Sequence, residues 1–146
     1  MKLAFVYAGQ GSQFAGMGKD LYENYPAARA VFDQFPADFD LRTTCFEDPE
    51  GLLNQTRYTQ PCMLAVAMAI TDILAENGIT PEMTAGLSLG EYSALYCAGV
   101  LDRQTAAELI TFRGQAMQKA SEGVESGMTA ILGLDRELVQ KACDQA

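Results

Sequence analysis

The pentapeptide Gly86-Leu87-Ser88-Leu89-Gly90 constrains this chain more than any other feature. It follows a short strand-like run, Met83 to Gly86, and precedes an apolar helical pattern from Leu89 to Ala98 in which Tyr92, Leu95 and Tyr96 are the packing residues. Glycines flank a serine in this way where a strand turns sharply into a helix and side chains would collide. Such a turn lifts the hydroxyl into the open and aims backbone N–H groups at it, that of Leu89 among them. A second reading stands beside the first. Ser88-x-x-Glu91 is also a capping box, in which the serine does no more than satisfy helix N–H groups.

The rest of the chain fits an α/β arrangement around that turn. Leu3 to Ala8 is a continuous apolar run closed by Gly9, the pattern of a strand buried on both faces of a parallel sheet. The turn Gly9-Gln10-Gly11-Ser12-Gln13 follows it. Neither dinucleotide nor Walker-type phosphate spacing fits, because Phe14 stands where a third glycine is needed and Gly18-Lys19 runs into Asp20. Short helices are predicted for 17–24 and for 26–35, with Pro26 in the first turn. Cys62 to Glu76 is apolar at nearly every position and ends at Asn77-Gly78, as in a helix buried almost all round. Arg103 to Lys119 reads as amphipathic, with Ala106, Leu109, Ile110, Ala116 and Met117 on its apolar side. A strand over 128–134 and a helix capped by Asp135 and still running at Ala146 complete the expectation.

Arg113 lies on that apolar side, with Leu109, Ile110, Ala116 and Met117 at i−4, i−3, i+3 and i+4. A guanidinium there needs an anion or a route to water, which a ligand, a structural salt bridge or snorkelling at the rim each provides. The sequence contains no histidine, the usual base for activating a serine.

Composition narrows the class. With 146 residues, 49% of them hydrophobic, the chain has enough apolar side chains for a core. Its net charge of −9, from 19 acidic and 10 basic residues with no basic run, argues against nucleic acid. Cys45, Cys62, Cys97 and Cys143 are too dispersed for a zinc or redox motif and read as reduced thiols. The N-terminus is too short for a signal h-region and Cys62 to Ile70 too short to span a bilayer, so a soluble, cytoplasmic protein without a membrane partner is expected.

Four blocks, 8–13, 58–61, 86–95 and 113–118, together resemble the malonyl-CoA:acyl-carrier-protein transacylases, in the family's order and over essentially the whole chain. The resemblance implies ping-pong transfer of a malonyl group from malonyl-CoA to the phosphopantetheine thiol of acyl carrier protein, with Ser88 as nucleophile. Gln10 and Leu89 would supply oxyanion-hole N–H groups, Arg113 would pair with the free malonyl carboxylate, and Gln60 falls in a pocket-lining block. No cofactor or metal is implied, the coenzyme A thioester being a substrate. Leu87 departs from the family, many members carrying histidine there.

The implied fold is an α/β-hydrolase-like large subdomain with a parallel sheet, whose N-terminal part would be residues 1–126. Residues 127–146 would begin an inserted ferredoxin-like small subdomain. The family's catalytic histidine would lie beyond residue 146, leaving the fragment alone inactive. Met1 standing directly before the first strand favours a stand-alone enzyme over a polyketide synthase domain. A serine thioesterase or esterase, which Arg113 disfavours, and a non-catalytic binding fragment compete with the transacylase reading.

Overall fold

The computed structural model describes residues 2–123, 129 and 131–145. Strand β1, Ala4–Tyr7, pairs in parallel with β2, Met83–Gly86, in the register Ala4↔Met83 to Tyr7↔Gly86. Between them run helices α1 (Lys19–Asn24), α2 (Pro26–Gln34), α3 (Leu41–Phe46) and the long α4 (Thr56–Glu76). Helices α5 (Gly90–Cys97), α6 (Arg103–Ser121) and α7 (Arg136–Gln145) follow β2.

Local chemistry sets these boundaries. Pro26 occupies the first turn of α2, where its missing N–H costs nothing. Asp40 and Asp102 cap α3 and α6, each accepting from a backbone N–H three residues on, and those bonds hold both carboxyls below the usual aspartate pKa. Helix α4 ends in Asn77 and a left-handed Gly78, and the N–H of Ile79 returns to the Leu74 carbonyl at 2.9 Å.

The core centres on α4, whose Leu64, Ala65, Met68 and Ala69 are fully buried against α2 and α6. Helix α6 contributes Ala106, Ala107 and Ile110, all fully buried, and lies very close to α4. A Cβ on Gly114 would stand 3.2 Å from the Arg57 Cα and from the Thr56 carbonyl oxygen. Cys45 and Cys62 are buried free thiols, and the neighbouring Cys62 sulfur together with burial raises the Cys45 pKa, keeping it protonated. Asp72 of α4 gathers two partners at 2.6 Å, the Tyr96 hydroxyl of α5 and the Arg103 guanidinium of α6.

Several expectations need correction. β1 is not buried on both faces: Phe5 and Tyr7 are half covered, while Val6 is 78% exposed. Alternate strand residues point to opposite faces, and the described helices cover one face only. Tyr7 meets α4 by donating to Thr71 Oγ1 at 2.8 Å, and Thr84 meets the Ala94 carbonyl of α5. Nor is α4 buried all round, since Ile70 is 42% exposed on the side that faces β1.

At 21 residues α4 is longer than its apolar centre suggested, and with a mean hydropathy of 1.3 it has the length and composition of a spanning helix. Its apolarity is accounted for by packing against α2, α5 and α6. On α6 the buried ridge runs through Ala106, Ala107, Ile110 and Gly114, leaving Leu109 and Met117 about two-fifths exposed and Ala116 also exposed. The close approach of α4 selects small residues there over large ones.

The strand expected over 128–134 is absent among its described residues. Ile131 to Leu134 have no ladder partner, and Leu132 is 91% exposed. Met128 and Ala130 lie outside the described residues, as do the expected subdomain boundary at Gly127 and the continuation of α7 to Ala146. Helix α7 does begin directly after Asp135, whose carbonyl accepts from Leu138 and Val139.

Candidate active site

The serine turn is made possible by two glycines. A Cβ on Gly86 would collide with the Gly90 carbonyl, and one on Gly90 would stand 2.5 Å from the Tyr7 carbonyl oxygen and 2.7 Å from that of Ala8. No side chain fits at either position. The residue between them takes the strain: Ser88 has φ +55°, in the left-handed region that non-glycine residues rarely enter.

That backbone turns the Ser88 side chain away from α5, and the capping reading fails. The N-cap of α5 is Leu89, and no side chain bonds to the helix N–H groups. Ser88 Oγ instead accepts from Arg113 Nη2 at 3.0 Å. Leu89 buries its side chain in the core, 1% exposed, which leaves its backbone beside the serine. Among the described residues neither the Leu89 nor the Gln10 N–H makes a hydrogen bond.

Arg113 arrives from α6 half-buried. Its Nη1 donates to Gln60 Oε1 at 2.7 Å, and its guanidinium sits 5.8 Å from the Tyr92 ring centroid. Gln60 is fully buried on α4, and its Nε2 faces the sulfur of Met117 at 3.3 Å. All these contacts are with neutral groups. Among the described residues Arg113 has no carboxylate partner, whereas Arg42, Arg57 and Arg103 each have one. The structural salt bridge left open by the sequence is therefore absent there, and the guanidinium stands beside the serine without a carboxylate partner among the described residues.

The Gly9–Gln13 turn closes over the same site. A Cβ on Gly9 would stand 3.0 Å from the Leu87 carbonyl oxygen and 3.4 Å from Leu87 Cγ, so the two turns touch. Leu87 itself is 72% exposed. Ser88, Arg113 and Gln60 thus form one hydrogen-bonded cluster, flanked by Leu89 and the Gln10 turn. An exposed hydroxyl, free N–H groups and an unpaired cation suit covalent transfer of an acyl group that itself carries an anion. Gln60 has no particular partner in the sequence reading, and Tyr92 and Met117 enter it only as packing residues, although Tyr92 stands one helical turn after Ser88 and Met117 one turn after Arg113.

A family profile described as "Acyl transferase domain" matches residues 4–146. Malonyl CoA-acyl carrier protein transacylase of Bacillus subtilis (strain 168) is 43% identical over 146 residues, covering 99% of this chain and 46% of that protein. Its Haemophilus influenzae namesake is 45% identical over 149 residues, covering 99% and 48%. Among solved structures, MCAT from Streptococcus pneumoniae superposes with a TM-score of 0.84 at 44% identity, covering 99% of this chain and 48% of that one. A malonyl-transacylase in complex with its type II PKS acyl-carrier protein gives 0.84 at 41%, with the same coverage. The chain spans about half the length of the curated relatives it matches.

Proposed function

Since the chain belongs to the acyl transferase domain family, we propose that it forms the nucleophile-bearing half of a malonyl-CoA:acyl-carrier-protein transacylase. The observation that carries this reading is the Arg113 guanidinium, 3.0 Å from Ser88 Oγ and without a carboxylate among the described residues. A malonyl thioester offers both things the site lacks, a carbonyl for the serine and a carboxylate for the arginine.

In the first half-reaction Ser88 Oγ attacks the thioester carbonyl while a base takes its proton. The Oγ–C bond forms, the C–S bond breaks, and coenzyme A leaves as a thiol with that proton. Backbone N–H groups of Gln10 and Leu89 hold the oxyanion, a contribution typically worth about 3–4 kcal/mol per donor. In the second half-reaction the phosphopantetheine thiol of acyl carrier protein attacks the ester, and the proton returns to Ser88. Arg113 holds the carboxylate throughout, which selects malonyl over acetyl.

The chain contains no histidine, so the base comes from the half that this chain does not include, and residues 1–146 alone turn over nothing. The reduced cysteines fit the cytoplasm, where acyl carrier protein would be the partner. Arg113 disfavours the thioesterase reading, in which no second anion needs binding.

Incubation of the completed enzyme with malonyl-CoA should leave a malonyl mass on the peptide bearing Ser88, and Ser88→Ala should abolish it. An adduct that persists in that variant, or that maps to a cysteine, overturns the assignment.

A further inference from the structure

The oxyanion loop is held from outside. The Gln10 side-chain amide meets the Thr56 hydroxyl, with Nε2 donating to Oγ1 at 3.1 Å and Oγ1 lying 3.4 Å from Gln10 Oε1. Three residues on, Gln13 Nε2 donates to Asn54 Oδ1 at 3.0 Å, while Gln13 Oε1 accepts from the Gly11 N–H at 2.8 Å. Both tethers end on the segment that opens α4, within three residues of each other.

Beyond the Ser12 hydroxyl, which donates to the Gly9 carbonyl at 3.3 Å, and the contact of Gly9 with Leu87, the loop has little else to fix it. Gly11 has φ +115° and empty space around its α-carbon, and residues 10 to 12 are exposed. The opening of α4 is, by contrast, rigid. Thr59 Oγ1 bonds the Leu53 carbonyl at 2.6 Å, Leu53 is buried, and Gly114 of α6 packs on the Thr56 and Arg57 backbone. One helical turn beyond Thr56, on the same face of α4, stands Gln60, which holds Arg113. One rigid turn of helix therefore carries both the tether of the oxyanion loop and the support of the carboxylate-binding arginine.

We propose that Thr56 is a positioning residue for acyl transfer: its hydroxyl pins the Gln10 side chain and so holds the Gln10 backbone N–H beside Ser88. This rests on the acyl-transfer reading for its kinetic part only, since the hold of Thr56 on the loop is a property of the folded chain. Thr56 contacts no substrate and acts through Gln10. Losing it should therefore slow every acyl group alike, whereas losing Arg113 discriminates between them.

The test uses the chain joined to the second half of the Bacillus subtilis relative, with two readouts: backbone N–H order parameters of residues 9–13 from NMR relaxation, and acylation of Ser88 by malonyl-CoA or acetyl-CoA. Thr56→Val, which keeps shape and removes the hydroxyl, should lower the order parameter of the Gln10 N–H while leaving those of Gly86–Gly90 unchanged. It should also slow acylation by both thioesters equally, by roughly three- to tenfold, as expected for one hydrogen bond. Thr56→Ser should restore both.

An unchanged order parameter at Gln10, or a loosened loop with undiminished acylation, overturns the positioning role. A loss confined to malonyl-CoA also overturns it, because Thr56 would then act on the carboxylate side. If the parent completed enzyme gives no Ser88 adduct with either thioester, the acyl-transfer reading fails. The hold of Thr56 on the loop is then decided by the order parameters alone.

Discussion

Replacing Arg113 by alanine tests the site most directly. In the resting chain the guanidinium is held by Gln60 Oε1 at 2.7 Å and Ser88 Oγ at 3.0 Å, with no acid to neutralise it among the described residues. A malonyl carboxylate arriving beside Ser88 gains two charge-assisted hydrogen bonds, each typically worth about 1.5–3 kcal/mol. Removing the arginine leaves that carboxylate partly buried and unpaired, a loss of about 3–5 kcal/mol. Malonyl transfer should therefore fall by roughly two to three powers of ten in kcat/KM, while acetyl transfer holds or rises. Arg113→Lys keeps the charge without the planar fork and should fall between.

The variant also deprives the buried Gln60 oxygen of its donor, which costs about 1–3 kcal/mol of stability. Rates must accordingly be scaled to the folded fraction. The assay is initial-rate transfer from labelled malonyl-CoA and acetyl-CoA, with the chain joined to the second half of the Bacillus subtilis relative. Equal losses for the two substrates would refute the reasoning and make Arg113 a structural residue.

Four further outcomes follow from the same geometry. Gln60→Glu places a carboxylate against Arg113 in the buried position that the amide now holds, so malonyl acylation should drop at least about tenfold with acetyl acylation little changed, as read by mass spectrometry of Ser88. Gly90→Ala drives a methyl group to 2.5 Å from the Tyr7 carbonyl oxygen, and thermal denaturation should show a loss of about 3 kcal/mol or more. Burial and the bond to Asp72 raise the Tyr96 pKa from 10.0 to about 12. The protonated phenol is thus favoured by folding, and its contribution is complete below pH 10.0 and lost as pH rises toward about 12. Tyr96→Phe should flatten the denaturation profile in that window. Residues 1–146 without an added base should transfer no malonyl group above a Ser88→Ala control, since general-base help is worth about 10²–10⁴-fold.

What could be read from the chain alone follows the kind of force involved. The Gly-x-Ser-x-Gly turn was legible because steric exclusion leaves a sequence pattern: Gly86 and Gly90 touch backbone and tolerate nothing larger. Arg113 was legible as a charge among apolar residues, yet the ridge around it was misjudged. Helix packing at the Gly114 contact depends on closeness, and a count of apolar side chains favours Leu109 and Met117 over Ala107 and Gly114. The strand Ala4–Tyr7 was correctly placed and its burial overestimated, because an apolar run does not say how many layers cover it. Thr56 and Asn54 lay in a polar stretch, 38–61, that carries no periodicity, and only the folded chain brings them against Gln10 and Gln13.

The left-handed backbone of Ser88 has an evolutionary reading. An L-residue with a side chain held at φ +55° costs the fold about 1–2 kcal/mol relative to glycine, which enters that region freely. Selection for stability alone would accordingly push position 88 toward glycine. A library of position-88 variants sorted only by folding should enrich Ser88→Gly over Ser88→Ala, since both lose the hydroxyl that accepts from Arg113 and only glycine escapes the strain. Sorting the same library by acylation should return serine, so the two screens would pull one codon in opposite directions.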